Sequence, residues 1–180
     1  NYEWRDGIAS TNAQPESGDY GNSTKKNYES FDSYLDQLIM GKLNDDAQFH
    51  YNTVAKHSSR VLLSKTIPGG YYKAHTDLAS LGDYSTTVFL QDPDDYEGGE
   101  LALMINGEVV KYKLPYGHAI TYSRGTCHQV CDVTSGIRYA AVLWTTSNIR
   151  NTEYRETYSH AMKIVDSFTD NVDVPLEEYD

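Results

Sequence analysis

The first clear periodic pattern in the chain lies between residues 30 and 43. Apolar side chains recur there at spacings of three and four residues, as is typical of one face of an α-helix. These side chains are Phe31, Tyr34, Leu35, Leu38, Ile39 and Leu43. Ser30 precedes them and belongs to a residue type that caps helix N-termini, so we predict a helix beginning there. A weaker second helix is predicted within residues 46–58, and residues 1–29 are predicted to be an irregular lead-in with room for one short strand.

From about residue 60 the pattern changes to short runs rich in β-branched and aromatic residues, separated by turn residues, which indicates strands. The predicted strands are Val61–Ile67, Tyr71–Asp77, Thr86–Gln91, Leu101–Ile105, Glu108–Leu114, Ala119–Tyr122, His128–Val133 and Arg138–Thr146. Asn106-Gly107 between two of these runs predicts a two-residue hairpin. Eight strands at this spacing favour a mainly antiparallel sandwich or barrel.

A final helix is predicted over residues 153–168. Its apolar stripe consists of Tyr154, Tyr158, Ala161, Val165 and Phe168, and we interpret this stripe as packing against the core. The length of 180 residues suits one domain, which we predict over residues 1–180. Its core spans about residues 60–150, with helical support from about residues 30–58 and the C-terminal helix at about 153–168.

The chain is acidic, with 26 Asp and Glu against 15 Lys and Arg and a formal net charge of −11. This charge disfavours nucleic acid and anionic membranes as direct partners. No apolar run approaches the length of a membrane span, and no signal-peptide pattern is visible, so we expect a soluble, cytoplasmic protein. On a strand, Cys127 and Cys131 are too far apart for a disulfide, in keeping with a reducing compartment.

A candidate metal site is formed by His75, Asp77 and His128. Residues two apart on a strand point to the same face, so His75 and Asp77 can present an imidazole and a carboxylate to one ion. His128 on another strand can complete a set of two histidines and one carboxylate, which is the arrangement of non-haem Fe(II) oxygenases.

Two alternatives involve Cys127, His128 and Cys131. A zinc site is disfavoured because strand alternation points His128 away from both cysteines and a fourth soft ligand is lacking. A nucleophilic Cys127–His128 pair is disfavoured for the same geometric reason.

Longer motifs resemble the Fe(II)/2-oxoglutarate-dependent oxygenases of the PKHD-type hydroxylase group, which are relatives of the prolyl 4-hydroxylases. The motifs are Tyr72-Lys73-Ala74-His75-Thr76-Asp77, Phe89-Leu90-Gln91-Asp92-Pro93, Tyr96-Glu97-Gly98-Gly99-Glu100-Leu101, Leu114-Pro115-Tyr116-Gly117, His128-Gln129-Val130, Val133-Thr134-Ser135-Gly136-Ile137-Arg138, Trp144 and Asn148-Ile149-Arg150. Trp4-Arg5-Asp6-Gly7 and Lys25-Lys26-Asn27 resemble the N-terminal portion of the family. The resemblance implies a double-stranded β-helix, a jelly roll with flanking helices.

The resemblance also implies roles for individual residues. His75, Asp77 and His128 match the iron ligands of the family. Arg138 matches the residue that holds the distal carboxylate of 2-oxoglutarate, a role that suits a guanidinium fork. The resemblance places three further residues at the cosubstrate pocket: Tyr72, Thr87 and Trp144. Many relatives have a tyrosine that meets 2-oxoglutarate nine residues before the first histidine, but this chain has Thr66 there.

The implied activity is hydroxylation of a C–H bond with release of succinate and CO2, using Fe(II), 2-oxoglutarate and O2, with ascorbate as a candidate reductant. The predicted substrate is a prolyl residue in a peptide or protein. Three alternatives remain: an oxygenase acting on a free amino acid or small metabolite, a non-catalytic jelly-roll binding module, and a metal-dependent hydrolase, which would have no need of Arg138.

Overall fold

The structure of the chain is a computed structural model that describes residues 3–7 and 25–169. Its helices are α1 (Ser33–Asn44), α2 (Ala47–Thr53) and α3 (Thr152–Thr169), with a single 3-10 turn at Pro93–Asp95. Its strands are β1 (Arg5–Asp6), β2 (Lys25–Lys26), β3 (Tyr28–Ser30), β4 (Ala55–Ser58), β5 (Leu62–Thr66), β6 (Tyr71–His75), β7 (Tyr84–Phe89), β8 (Tyr96–Gly98), β9 (Leu101–Ile105), β10 (Glu108–Tyr112), β11 (Ala119–Ser123), β12 (His128–Val130), β13 (Val133–Gly136) and β14 (Arg138–Ser147).

The strands form two antiparallel sheets that face each other. The larger sheet has the order β1-β3-β5-β14-β7-β11, and β4 pairs with the distal part of β14. The smaller sheet has the order β10-β9-β12-β6-β2, while β13 and β8 form a separate ribbon. At one end the facing sheets close over an apolar cluster of Phe89, Leu101, Leu103 and Tyr122. This arrangement is the predicted jelly roll, and its open end leaves a cavity between the sheets.

Helix α1 covers the outer face of the larger sheet. Ile39 is buried there against Val61, Leu63 and Leu143. The helix begins later than predicted, because the side chain of Asp32 accepts a hydrogen bond from the backbone N–H of Leu35 and is the N-cap. Ser30, the predicted cap, is instead the last residue of β3.

Part of the predicted apolar face of α1 is exposed. Leu35 and Leu43 pack with Ile39 on the core, while Phe31, Tyr34 and Leu38 are exposed. Strand β5 runs beneath one side of the helix, so the orientation of the helix on the sheet determines which members of the stripe are buried.

The second predicted helix is shorter than its pattern suggested. Helix α2 ends at Thr53, Val54 adopts a left-handed backbone conformation (φ 47°), and the chain continues as strand β4. Pairing of β4 with β14 supplies interstrand hydrogen bonds that a longer helix would forfeit.

The C-terminal helix occurs close to its predicted bounds, but the interpretation of its apolar stripe is wrong. Tyr154, Val165 and Phe168 are exposed, whereas Arg155 and Ser159 are buried. The contacts with α2 and the sheet are polar: Tyr51 donates a hydrogen bond to Asp166, Ser159 bonds Asn52, and Arg155 forms an ion pair with Asp83.

The hairpin prediction at Asn106-Gly107 is confirmed. Ile105 pairs with Glu108, and both turn residues have positive φ angles (52° and 86°), as a type I′ turn requires. The lead-in, in contrast, holds more structure than predicted, because its described residues include β1, β2 and β3. Of these, β3 extends the larger sheet and β2 extends the smaller one. No helix in the described ranges combines the length and apolarity that a membrane span requires.

Candidate active site

The three predicted metal ligands converge at one side of the cavity. The ligand atoms of His75, Asp77 and His128 all lie within 4.8 Å of one another. The Nε2 atoms of His75 and His128 are 3.9 Å and 3.8 Å from the two carboxylate oxygens of Asp77. His75 lies directly opposite His128 in the pairing of β6 with β12.

One detail of the sequence argument was wrong. Strand β6 ends at His75, so Asp77 is not on the strand as predicted but in the loop that follows. The backbone N–H of Asp77 donates to the carbonyl of Arg124, and its carboxylate accepts a hydrogen bond from Ser85 on β7. The loop thus turns the carboxylate back toward His75, and contacts with two neighbouring segments hold it there.

Both histidines are oriented by backbone carbonyls. The Nδ1 atom of His75 lies 2.8 Å from the carbonyl oxygen of Lys73, and that of His128 lies 3.0 Å from that of Thr126. When Nδ1 carries the proton and donates it to these carbonyls, the Nε2 lone pairs remain available for a metal ion. Burial and the neighbouring His128 lower the pKa of His75, which keeps that imidazole neutral and able to coordinate.

Tyr72 stacks on His75, with ring centroids 3.8 Å apart and planes inclined by 20°. Residues three apart on a regular strand point to opposite faces, but β6 has an irregular register here: His128 pairs with His75, whereas Val130 pairs with Tyr72. This extra residue in β6 turns both rings toward the cavity. Burial, assisted by Asp77 and Glu29, raises the pKa of Tyr72 to about 12, so its hydroxyl keeps its proton at neutral pH.

Arg138 lies on the cavity wall contributed by the larger sheet. Its side chain is 2% exposed, and its guanidinium lies 5.9 Å from the centre of the Phe89 ring. Among the described residues, Nε and Nη2 of Arg138 have no hydrogen-bond partner. The ionisable groups that act on Arg138 are Tyr96 and Tyr122, while burial lowers its pKa. A charged fork with two unused donors therefore faces a cavity in which no acidic group neutralises it.

Strand register explains why Arg138 shares the cavity with the other predicted pocket residues. Arg138 and Trp144 are an even number of residues apart on β14, so both point inward. Trp144 pairs with Ser85, and Thr87 follows two residues later on β7, with 3% exposure. The indole N–H of Trp144 is buried without a hydrogen-bond partner in the described part of the chain. Thr66 pairs with Arg138 and also lines the cavity.

The cavity itself has a volume of about 630 Å³. It extends from the His75, Asp77 and His128 cluster to Arg138 and opens beside the loop that follows Asp77. Apolar side chains of that loop, Leu78 and Leu81, are exposed and line the cavity together with Phe31. Its size suits a small dicarboxylate with part of a second molecule.

Four polar residues of the cavity wall were not predicted: Lys25, Asn27, Glu29 and Tyr122. The first three alternate along the chain, a spacing that would place them on one face of a strand. Lys25 and Glu29 are buried and form an ion pair that joins β2 of the smaller sheet to β3 of the larger one. For Tyr122, the available signal was its position six residues before His128 on a predicted strand.

The donor set fits a transition metal. Two neutral imidazoles and one carboxylate suit Fe(II), and their separations require only small adjustments to converge on one ion. Neither cysteine belongs to this cluster, and both are free thiols, as predicted from their spacing.

Comparison with known proteins agrees with this geometry. A sequence profile described as the 2OG-Fe(II) oxygenase superfamily matches residues 61–146. A PKHD-type hydroxylase of Prochlorococcus marinus is 36% identical over 164 residues, which cover 85% of this chain and 71% of the relative. A PKHD-type hydroxylase of a Synechococcus species is 38% identical over 130 residues, with 68% of this chain and 58% of the relative covered. The chain thus spans 58% to 71% of the length of these relatives.

Two solved structures share the fold. A Pseudomonas putida prolyl-4-hydroxylase superposes with a TM-score of 0.56 at 17% identity, covering 70% of this chain and 74% of that one. The viral collagen prolyl hydroxylase of Paramecium Bursaria Chlorella virus-1, solved as a 2OG complex, gives a TM-score of 0.55 at 18% identity, covering 81% and 96%. Sequence relationship and fold therefore lead to one conclusion: the chain belongs to the 2OG-Fe(II) oxygenase superfamily, the dioxygenase class predicted from its motifs, and its relatives there are PKHD-type hydroxylases.

Proposed function

We propose that the protein is an Fe(II)- and 2-oxoglutarate-dependent dioxygenase that hydroxylates a prolyl residue in a peptide or protein. One observation carries the proposal: a cluster of two histidines and a carboxylate faces a buried guanidinium that lacks partners for two of its nitrogens, across a single cavity. The relatives named PKHD-type hydroxylase support the same activity.

His75, Asp77 and His128 would hold the iron through two Nε2 atoms and one carboxylate oxygen. When bound there, iron supplies the redox chemistry by which O2 and 2-oxoglutarate are converted, with the substrate, to hydroxylated product, succinate and CO2. The chain contributes neutral imidazoles, fixed by the Lys73 and Thr126 carbonyls, and a carboxylate fixed by Ser85.

Arg138 would hold the distal carboxylate of 2-oxoglutarate. The free Nε and Nη2 atoms form one edge of the guanidinium fork, which matches the two oxygens of a carboxylate. Binding of the dianion would also neutralise a charge that burial otherwise leaves uncompensated. Thr87, Tyr72 and Trp144 would complete the walls of this pocket.

The substrate would enter beside the loop after Asp77. Leu78, Leu81 and Phe31 offer apolar surface at this opening, and a pyrrolidine ring is a small apolar group of matching character. The open approach suits a residue within a longer chain, so we infer a peptide or protein partner. A role for ascorbate as reductant stays a prediction.

The first experiment is an anaerobic visible titration of the purified protein with Fe(II) and 2-oxoglutarate. We expect a charge-transfer band that needs both additions, since it arises only when the keto acid chelates the iron. Asp77→Ala should abolish the band, and Arg138→Met should require far more 2-oxoglutarate to produce it. Tyr139→Phe is the matched control, because Tyr139 stacks on Trp4 away from the cavity.

The substrate is tested separately by mass spectrometry of proline-containing peptides after aerobic turnover. We expect one added oxygen atom on proline and an equal amount of succinate. A band without peptide oxidation, but with oxidation of a free amino acid or metabolite, would refute the prolyl substrate and retain the oxygenase. Absence of the band in folded, metal-loaded protein would instead favour a binding module or a hydrolase.

A further inference from the structure

Tyr122 occupies a position between the two ends of the cavity. It lies on β11, is 9% exposed, and its ring centroid is 5.0 Å from that of His128. Both Asp77 and Arg138 act electrostatically on its hydroxyl, and the Thr87 side chain interacts with it. The hydroxyl therefore lies within the field of the metal cluster at one end and of the guanidinium at the other.

The pairing of strands β7 and β11 directs this side chain inward. Tyr122 pairs with Ser85, which in turn pairs with Trp144 on β14, so these three residues share the cavity face of the larger sheet. The apolar cluster with Phe89 and Leu101 packs the ring of Tyr122. A ring fixed in this way presents its hydroxyl at a defined position.

The chemistry of a bound carboxylate calls for such a donor. Its two oxygens offer about four lone-pair positions, and Nε and Nη2 of Arg138 supply hydrogen bonds to two of them. In a buried pocket the remaining positions need donors as well, because unmet hydrogen bonds of a charged group are costly. Burial raises the pKa of Tyr122, so its hydroxyl remains a donor at neutral pH.

We propose that the Tyr122 hydroxyl binds 2-oxoglutarate together with Arg138, donating to the distal carboxylate. This role rests on the function proposed above. It also accounts for Thr66, whose side chain, opposite Arg138 on β5, is too short to reach across the cavity as a tyrosine would. In this protein the phenolic donor comes from β11 at the other side of Arg138.

The test is Tyr122→Phe, which removes one oxygen atom and keeps the packed ring. We expect the dissociation constant of 2-oxoglutarate, measured by anaerobic titration of the charge-transfer band, to rise about 10- to 100-fold, as for loss of one hydrogen bond to a charged group. The affinity for Fe(II) alone, measured by anaerobic calorimetry, should stay within about twofold, since the ligand atoms are unchanged.

A second keto acid locates the lost contact. 2-Oxobutanoate chelates iron in the same way but lacks the distal carboxylate, so its dissociation constant should be the same in the wild type and in Tyr122→Phe. Equal weakening of both keto acids would overturn the proposal and assign the hydroxyl to the neighbourhood of the iron. Unchanged binding of 2-oxoglutarate by Tyr122→Phe would also overturn it.

Two controls complete the design. Tyr139→Phe removes a phenolic hydroxyl outside the cavity and should leave the affinity for both keto acids unchanged. Thermal unfolding of Tyr122→Phe should remain a single transition, which separates a lost contact from a disrupted fold. A wild-type band with no effect of Tyr122→Phe refutes this inference alone, whereas a wild type without the band refutes the proposed function as well.

Discussion

Two buried cations line the same cavity and differ in what surrounds them. Lys25 is 4% exposed and forms an ion pair with Glu29, which is itself hydrogen-bonded to Asn27. Arg138 is 2% exposed, and within the described ranges no acidic side chain pairs with it and two of its nitrogens lack a hydrogen-bond acceptor. One charge is neutralised by the protein, and the other is not.

Burial of an uncompensated charge costs several kcal/mol, so folding alone does not explain Arg138. The Lys25–Glu29 pair connects the two sheets at one end of the cavity, which is a structural role. Arg138 points into the cavity with donors in place, as expected of a group that meets an anion supplied from outside. The contrast separates a charge that holds the fold from one that awaits a ligand.

The largest expected effect follows from removing Arg138. Arg138→Met should weaken the binding of 2-oxoglutarate by more than about 100-fold, because a bidentate charge-assisted contact is lost. The free energy of unfolding should stay the same or increase, because the cost of the buried charge disappears. Titration of the charge-transfer band and urea unfolding measure the two quantities, and a destabilisation of several kcal/mol would give Arg138 a structural role.

Breaking the Lys25–Glu29 pair should have the opposite balance. Glu29→Gln leaves Lys25 buried without its charge partner, and we expect a loss of about 3–5 kcal/mol in the free energy of unfolding. The affinity for 2-oxoglutarate in the folded protein should change by less than about threefold. Urea unfolding tests the first expectation, and a loss below about 1 kcal/mol would show that the pair does not hold the sheets together.

A smaller effect is expected when both members of the pair are neutralised. Lys25→Met combined with Glu29→Gln removes the buried charge as well as its partner, so most of the stability lost in Glu29→Gln should be recovered. The measurement is the same unfolding curve, compared among the wild type, the single variant and the double variant. A double variant less stable than Glu29→Gln would mean that Lys25 has a separate stabilising contact.

The smallest effect concerns Tyr96, which contacts Arg138. Burial raises the pKa of Tyr96, and the guanidinium partly opposes this by favouring the phenolate. Arg138→Met should therefore raise the pKa of Tyr96 further. Tyrosinate absorbance between about pH 9 and 12 measures the change, and the same titration in Tyr96→Phe identifies its contribution. A downward shift would show that the guanidinium does not act on this hydroxyl.

The sequence was informative about residues whose chemistry is unusual for their place in a strand. His75, Asp77, His128 and Arg138 were selected by spacing and by resemblance, and the structure brings them to one cavity. Tyr122 and Glu29 were not selected, because tyrosine is common in strands and a single glutamate is common on surfaces. Their contribution to the cavity wall depends on partners distant in the chain, such as Ser85 and Ser64.

Element boundaries show the same division. The Asn106-Gly107 hairpin is decided locally, because the turn requires positive φ angles at both positions. The start of α1 depended on whether Ser30 or Asp32 capped it, and the sequence offers both. Pairing of β3 with β5 draws Ser30 into the sheet and leaves Asp32 as the cap. Strand β6, similarly, ends at His75 because the loop after it is held by Arg124.

The sequence by itself determined the strand-rich architecture, the hairpin and the residue types able to bind a metal and a carboxylate, since these follow from local pattern and side-chain chemistry. The tertiary structure alone decided which side chains share the cavity. It opposes Lys25 to Glu29, leaves two nitrogens of Arg138 without acceptors and brings the Tyr122 hydroxyl toward them. These relations join segments far apart in the chain, and pairing between strands sets them through register and burial.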